Sequence, residues 1–241
     1  MFREQTILIT GGTSGIGRAL VEELADENVV LTCGSSPDRV ERLAAAHPSV
    51  RVRRIDLTDR RGVQELFDFV SSQTDRLDML VNNAGVNRGG DLESLTRDPD
   101  LVSSELGVNL AAPILLAALC LPLLLRSQQP RIVNIASVAG VLPRGSTPVY
   151  CASKAGLRMF GGALRHALAG TAVRVIDVIP PLVDTEMARS LDLPKQSPSS
   201  FARELLRRIE RSHGGELVFG ANRLTLWIHR YSPRLAMRRF K

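Results

Sequence analysis

A doubly wound parallel α/β sheet with helices on both faces is the fold this sequence predicts, on three observations. Short apolar runs alternate along the chain with segments of helical spacing, the order that builds βαβ units. Most of those runs are almost wholly apolar, as strands covered on both faces must be. The first run ends in a glycine cluster, "ITGGTSGIGRAL" (9–20), that opens a helical segment.

The elements follow in order. "QTILIT" (5–10) reads as the first strand and "ALVEELADE" (19–27) as the first helix. "VVLTC" (29–33) is β-branched, "DRVERLAAA" (38–46) helical, and "VRVRRIDL" (50–57) alternating. "GVQELFDFVSSQ" (62–73) is helical again, and "LDMLVNNAG" (77–85) is a strand running into a turn. A long apolar helix spans 100–126. Its core, "VNLAAPILLAALCLPLLL" (108–125), carries Asn109, Pro113 and Pro122. No apolar run is expected to reach transmembrane length. The strand "RIVNIAS" (131–137), a helix over 149–169, the strand "VRVIDVIPP" (173–181), a helix over 199–212 and the strand "ELVFG" (216–220) complete the sheet.

The 241 residues suit one α/β unit over 1–220 with a tail over 221–241. Cys33, Cys120 and Cys151 are far apart, and the four histidines show no ligand spacing, so neither a disulfide framework nor a metal site is supported. The start of the chain has no signal-peptide anatomy, which predicts a cytoplasmic location. The formal charge is +6, and six basic residues with no acid lie between Leu217 and Lys241, so the preceding residues sum to zero. Charge confined to the tail argues against a nucleic-acid surface.

The glycine cluster has the spacing Gly11-x-x-x-Gly15-x-Gly17. A strand, a glycine turn and a helix N-terminus together form an anion site, because free N–H groups and the helix dipole point at the ligand. A plain tight turn is the alternative.

A second constellation lies in "PVYCASKAGL" (148–157). The chain has two tyrosines and three lysines, and Tyr150 and Lys154 stand four apart, on one helix face. A free phenol titrates near pH 10. A cation within about 4–6 Å lowers such an acid by ~1–3 units, toward the range of general acid–base work. A slim ammonium suits this place better than the rigid fork of arginine. Ser137 closes a strand at its carboxyl end, where open α/β sheets bind ligands. Its plainer alternative is a turn cap. Asn109, on an apolar helix, needs partners when buried, with an ordinary core hydrogen bond as the alternative.

"TGGTSGIG", "NNAG" (82–85), Asn109, Ser137 and Tyr150 with Lys154 resemble the short-chain dehydrogenase/reductase family, in order over residues 5 to 190. "PVYCASKAGL" with "IPPLVDTEM" (179–187), where Pro181 replaces the usual glycine, is similar to the DltE-type branch. The resemblance implies a Rossmann-like fold. It implies an NAD(P)-dependent oxidoreductase with Asn109, Ser137, Tyr150 and Lys154 catalytic. Ser137 would hold a substrate oxygen, Tyr150 would protonate it, and Lys154 and Asn109 would relay the proton, Asn109 at a kink in its helix. Gly11, Thr13, Ser14, Gly15, Ile16 and Gly17 would cradle the pyrophosphate. Asp56 with Leu57 would hold the adenine, unless Asp56 only caps a helix. Asn83, Ala84 and Gly85 would line the adenosine and ribose side. Pro180, Val183 and Thr185 would meet the nicotinamide, and Tyr150 and Lys154 the adjoining ribose.

Cofactor choice rests on the end of the second strand, where an acid would bond the ribose 2′-OH and repel a 2′-phosphate. Gly34 stands there, followed by Ser35, Ser36 and Arg39. NADP(H) is therefore favoured, with NAD(H) as the alternative. The family's NADP users often carry an arginine at position 35, which this chain lacks. The expected activity is NADPH-dependent reduction of a ketone or acyl-chain carbonyl, or its reverse. An extended epimerase or dehydratase, or a non-catalytic NAD(P)-binding regulator, is the alternative. Val138, Ala139, Leu142, Val149, Leu182 and Met187 are the candidate substrate lining, under a lid over 181–200. Arg88 and Arg144 are candidates to meet an acidic substrate, with solvated loop arginines as the plainer and favoured alternative.

Family members pair through the two helices at 100–126 and 149–169, which predicts a homodimer or homotetramer. Gly161 and Gly162 inside the second suggest close helix approach. In the tail, Leu224, Trp227, Ile228, Tyr231 and Leu235 recur at helical spacing, and Ser232–Pro233 reads as the start of a second short helix. Packing on the body or on another subunit is one expectation. Docking on an anionic membrane or an acidic acyl carrier protein is the other.

Overall fold

Each run read as a strand forms one: β1 (Thr6–Thr10), β2 (Val29–Gly34), β3 (Arg51–Arg54), β4 (Met79–Asn82), β5 (Arg131–Ile135), β6 (Arg174–Ile179) and β7 (Gly215–Val218). The computed structural model describes residues 2–88 and 92–233. All seven strands pair in parallel, in the order β3-β2-β1-β4-β5-β6-β7. Between them run α1 (Gly15–Leu24), α2 (Pro37–Ala46), α3 (Arg60–Gln73), α4 (Leu92–Arg97), α5 (Asp100–Leu106), α6 (Ala112–Leu124), α7 (Pro148–Ala167), α8 (Pro198–Arg211) and α9 (Asn222–Tyr231).

The strand order reverses between β1 and β4. That opens a crevice at their carboxyl ends, where ligands of doubly wound sheets bind. Two apolar layers cover the sheet. One joins α1 and α8, with Leu20, Val21, Phe201 and Leu205, to Ile7, Ile9 and Val178. The other joins α3 and α6, with Leu66, Leu116 and Cys120, to Leu8, Leu80 and Ile132. Being apolar on both faces is therefore what the central strands require. β3, with the sequence RVRR, sits at an edge and stays largely exposed.

The long helix differs from the expectation in one respect. Asp100–Leu124 is a continuous 25-residue helical stretch, long and apolar enough to cross a membrane by length and composition, with half of its apolar window buried in the fold. It changes pitch at a π-helical turn, Gly107–Ala111, between α5 and α6. Such turns occur mostly as single insertions at functional sites, and Asn109 lies within this one. Gly107 abuts the chain entering α3, since a Cβ there would lie 2.1 Å from the Thr58 carbonyl oxygen.

The reason given for Gly161 is also corrected. The close approach it permits is to the sheet: a Cβ would lie 2.0 Å from Asp177 Oδ1. Asp177 on β6 accepts from Arg165 Nη1 at 2.6 Å and from Asn134 Nδ2 at 2.9 Å. Asn134 Oδ1 in turn accepts from Asn82 Nδ2 at 2.9 Å. These three polar residues are register partners across β4, β5 and β6. The ladder pairs most of their buried polar atoms with one another, and leaves Asn82 Oδ1 without a partner among the described residues.

Candidate active site

The glycine turn leaves β1 pressed against the exit of β4. Gly11 and Gly15 have φ of 68° and 53°, the left-handed region that favours glycine. A Cβ on Gly11 would lie 2.9 Å from the Ala84 Cα, and one on Gly17 would lie 2.4 Å from Asn83 Nδ2. Asn83 holds the turn by donating from Nδ2 to the carbonyls of Thr10 (2.8 Å) and Gly11 (3.3 Å). The Thr10 hydroxyl accepts the N–H groups of Asn83 (3.0 Å) and Ala84 (2.9 Å). Sequence reasoning missed Thr10, because a threonine ending a strand carries no signal of its own.

α1 starts in this turn with no acid in its first turn, and the Ser14 side chain makes no capping bond. Its orphan N–H groups are therefore available to an anion. Thr13 is buried and Ile16 half-buried beside them. Across the crevice, the Thr185 methyl lies 3.1 Å from where a Gly15 Cβ would be. Val183 is buried and forms a parallel bridge with Gln196. The segment between them is thus a loop closed at its base, where the lid was expected. Pro180 offers its carbonyl to Asn222 Nδ2 at 2.7 Å.

At the other end of the crevice, Gly34 is packed on Thr13, with a Cβ position 2.3 Å from Thr13 Oγ1. Ser35 is exposed, and Ser36 precedes α2 without a side-chain cap bond. Arg39 is ion-paired to Glu186 at 2.6 Å, so the arginine expected to reach a phosphate is shared with the loop after β6. Asp56 is exposed, and its Oδ1 accepts the Thr58 N–H at 3.0 Å. It is not the helix cap: Asp59 caps α3 through the Gly62 N–H. Leu57 is buried beneath it. A glycine cradle too tight for side chains, an acid-free helix start and no acid closing β2 together fit a dinucleotide.

The four residues read as catalytic converge where β4 and β5 end. Ser137 caps a single 3-10 turn, Val138–Gly140, by accepting the Ala139 N–H at 3.1 Å, and its hydroxyl lies close enough to the Tyr150 phenol to lower its pKa. The cap and the site role therefore coexist. Lys154 is 4% exposed and donates from Nζ to the Ile135 carbonyl at 2.9 Å. Its Nζ stands 5.9 Å from the Tyr150 ring centre and 3.4 Å from where a Gly85 Cβ would be. Asn109, fully buried, clamps the strand exit by accepting the Val86 N–H and donating to the Val86 carbonyl, both at 2.8 Å. It also donates to Ser153 Oγ at 3.1 Å, and Ser153 donates to the Tyr150 carbonyl at 2.8 Å. Asn109 thus ties the helix turn to the base of the Tyr150–Lys154 helix.

The electrostatics correct one expectation. Lys154 does not pull the phenol down. Burial pushes Tyr150 above its ordinary range, and the lowering comes from the Ser137 hydroxyl and from Arg144. Arg144 is thereby more than a solvated loop arginine. Burial pushes Lys154 itself down to about 8, opposed by the carboxylate of Glu105. Glu105, on α5, is a residue the sequence did not mark. It is 2% exposed, accepts the Arg88 N–H at 3.2 Å through Oε2, and has Oε1 buried without a partner among the described residues. Burial raises it as well, against the pull of Arg88 and Lys154.

The expected substrate lining divides. Ala139 and Leu142 are buried in the fold, Val138, Val149 and Leu182 are half-buried, and Met187 is exposed. A cavity of about 450 Å³ lined by Arg165, Thr171 and His213 lies at the opposite end of β6 and takes no part in this site.

This arrangement is that of an α/β oxidoreductase. The family model described as short chain dehydrogenase matches residues 5–196, and the chain belongs to that family of NAD(P)-dependent oxidoreductases. The uncharacterized oxidoreductase DltE of Bacillus subtilis (strain 168) is 36% identical over 181 residues, covering 75% of this chain and 72% of its own length. A protein assigned as ketoacyl reductase 2 of the granaticin polyketide synthase of Streptomyces violaceoruber is 35% identical over 190 residues, covering 77% and 75%. A short chain dehydrogenase from Burkholderia cenocepacia J2315, solved in complex with NADP, superposes with a TM-score of 0.82. It is 28% identical and the match covers 98% of this chain and 96% of that one.

Proposed function

We propose that this protein reduces a ketone or acyl-chain carbonyl to a secondary alcohol with NADPH, with Tyr150 as the general acid. The observation that carries the reading is the Ser137–Tyr150 hydroxyl pair at the end of β5, with the buried Lys154 one helical turn on. NADPH supplies the hydride. Ser137 holds the carbonyl oxygen, and Tyr150 gives it a proton as charge develops there. A phenol held above its ordinary range stays protonated at neutral pH and is ready to donate. Lys154, at about 8, carries a transferable proton near neutrality. Glu105 favours the charged lysine and has one carboxylate oxygen without a partner among the described residues. Asn109 holds the Val86 segment and Ser153, so that these groups keep their spacing.

NADPH over NADH is supported by the absence of an acid at Gly34, which closes β2, by Ser35 and Ser36 after it, and by Arg39 on α2. The Burkholderia neighbour binds NADP. An acyl-chain carbonyl is supported by the granaticin relative's ketoacyl assignment and by the half-buried apolar Val138, Val149 and Leu182. Membership of the DltE-type branch rests on that relative and on Pro181. A homodimer or homotetramer through α6 and α7 belongs to the same proposal, since both helices carry exposed apolar residues, Ile114 and Met159.

The test is cofactor consumption with a panel of apolar ketones and 3-ketoacyl thioesters. NADPH should be oxidised several-fold faster than NADH. No turnover with any member, by protein that binds NADPH, would count against a carbonyl reductase.

A further inference from the structure

α9 offers a face that nothing among the described residues covers. The helix has no buried residue. Its less exposed side is Asn222, Thr225, Leu226, Ile228 and His229. At 100° per residue the remaining positions fall together on the outward side. There Leu224 is 56% exposed, Trp227 61% and Tyr231 70%, with Arg223 and Arg230 exposed beside them. The Trp227 and Tyr231 rings meet at a tilt of 56° with centres 5.2 Å apart. Of the two expectations for this stripe, packing and docking, packing on the described body is not what is seen: its largest members point outward.

The face also has a definite place. α9 leaves the carboxyl end of β7, and the lid leaves that of β6, its parallel neighbour. The two starts touch: Asn222 Nδ2 donates to the Pro180 carbonyl at 2.7 Å, and Gly220 is packed on Pro181. The lid adds two more exposed apolar residues, Met187 and Leu193. Its charges, Arg189 and Lys195 with Asp184, Glu186 and Asp192, nearly cancel.

We propose that the outward face of α9, with the lid beside it, docks on an anionic lipid bilayer. Charge selects this occupant. No acid occurs from Leu217 to the end of the chain, which holds six basic residues. A second copy of the chain would meet the same patch, since a two-fold interface is self-complementary. Such an interface would gather four arginines, Arg223 and Arg230 of each copy, with no acid from α9 to balance them. Aromatic rings with arginines on a short amphipathic helix suit the headgroup boundary, where tryptophan and tyrosine concentrate. Each arginine near an anionic surface strengthens partitioning about five-fold. Docked this way, the carboxyl edge of the sheet faces the bilayer, so the substrate would be a lipid-borne acyl carbonyl. That last step rests on the function proposed above, whereas binding itself does not.

Trp227 is the one tryptophan in the chain, so its emission reports on this face alone. The full chain, without cofactor, is mixed with vesicles of phosphatidylcholine, or of phosphatidylcholine with phosphatidylglycerol, at low and physiological salt. The expected result is a blue shift and co-sedimentation with the anionic vesicles only, weaker in salt. Arg223→Ala with Arg230→Ala should lower partitioning roughly twenty- to thirty-fold, and Leu224→Glu should abolish it with the melting temperature unchanged. Unshifted emission with anionic vesicles, from folded protein, overturns the proposal. So does a blue shift that tracks protein concentration without vesicles, which would assign the face to a second copy. Binding to an acidic acyl carrier protein but not to vesicles overturns it too. Vesicle binding by a protein that turns over no carbonyl would sink only the substrate.

Discussion

At the scale of single residues, the site is a set of buried groups whose charges are balanced by one another. Lys154 is the clearest case. Its pKa falls from 10.5 to about 8 because burial penalises the ammonium. Between those two values the unfolded chain holds a proton that the folded chain does not, so stability rises with pH through that window and is lowest below it. In Lys154→Met this contribution disappears. The melting temperature of the variant relative to the parent should therefore be most favourable below pH 8 and decline towards pH 10.5, as thermal unfolding across that range would show. A flat difference would mean that the lysine is not charged at a cost. Glu105 acts on the same group in the opposite sense, by favouring its protonated form. Glu105→Gln should move the alkaline limb of the kcat/KM profile to lower pH. Glu105→Asp should restore part of that shift, and an unmoved limb in both would make Glu105 merely structural. Asn109, Ser137, Tyr150 and Lys154 were legible in the sequence because their types and spacing are unusual together. Glu105 was not, because an acid on a helix looks the same whether it faces water or a buried ammonium.

At the scale of elements, the sequence showed the strand–glycine–helix unit and the alternation that follows it, since both rest on local periodicity. It did not show the π-helical turn that presents Asn109, which depends on α5 and α6 being held on either side of it. Nor did it show the Asn82–Asn134–Asp177 ladder, because strand register is not a local property. Asp56 and Asp59 illustrate the same limit: two acids three apart could each have been the cap, and the geometry gives that role to Asp59. The end of β2 decides the cofactor. Gly34→Asp would be a poor probe there, because a Cβ at Gly34 collides with the Thr13 side chain. Ser35 is exposed and free of that contact. Ser35→Asp should weaken NADPH at least ten-fold and NADH by less than about two-fold, through repulsion of the 2′-phosphate, as fluorescence titration of each would record. Equal weakening of both would place the 2′-phosphate elsewhere.

At the scale of the whole molecule, the parallel sheet places the glycine turn, the Ser137 turn and the 181–200 loop along one edge, so that in the proposed reaction cofactor and carbonyl would meet at the switch between β1 and β4. The outer faces of α6 and α7 keep Ile114 and Met159 exposed, Met159 at 74%, as expected of helices that pair with another copy. Light scattering should therefore give a dimer or tetramer, and Met159→Arg should shift it to a smaller species. A monomeric parent chain would contradict this. The central claim is that Tyr150 delivers the proton to a carbonyl reduced by NADPH. Tyr150→Phe removes one hydroxyl and leaves the glycine cradle untouched. With any ketone the parent accepts, kcat should fall by roughly 10²–10⁴, while the NADPH dissociation constant changes less than about three-fold. Turnover within a factor of about ten of the parent, in protein that still binds NADPH, would contradict the assignment.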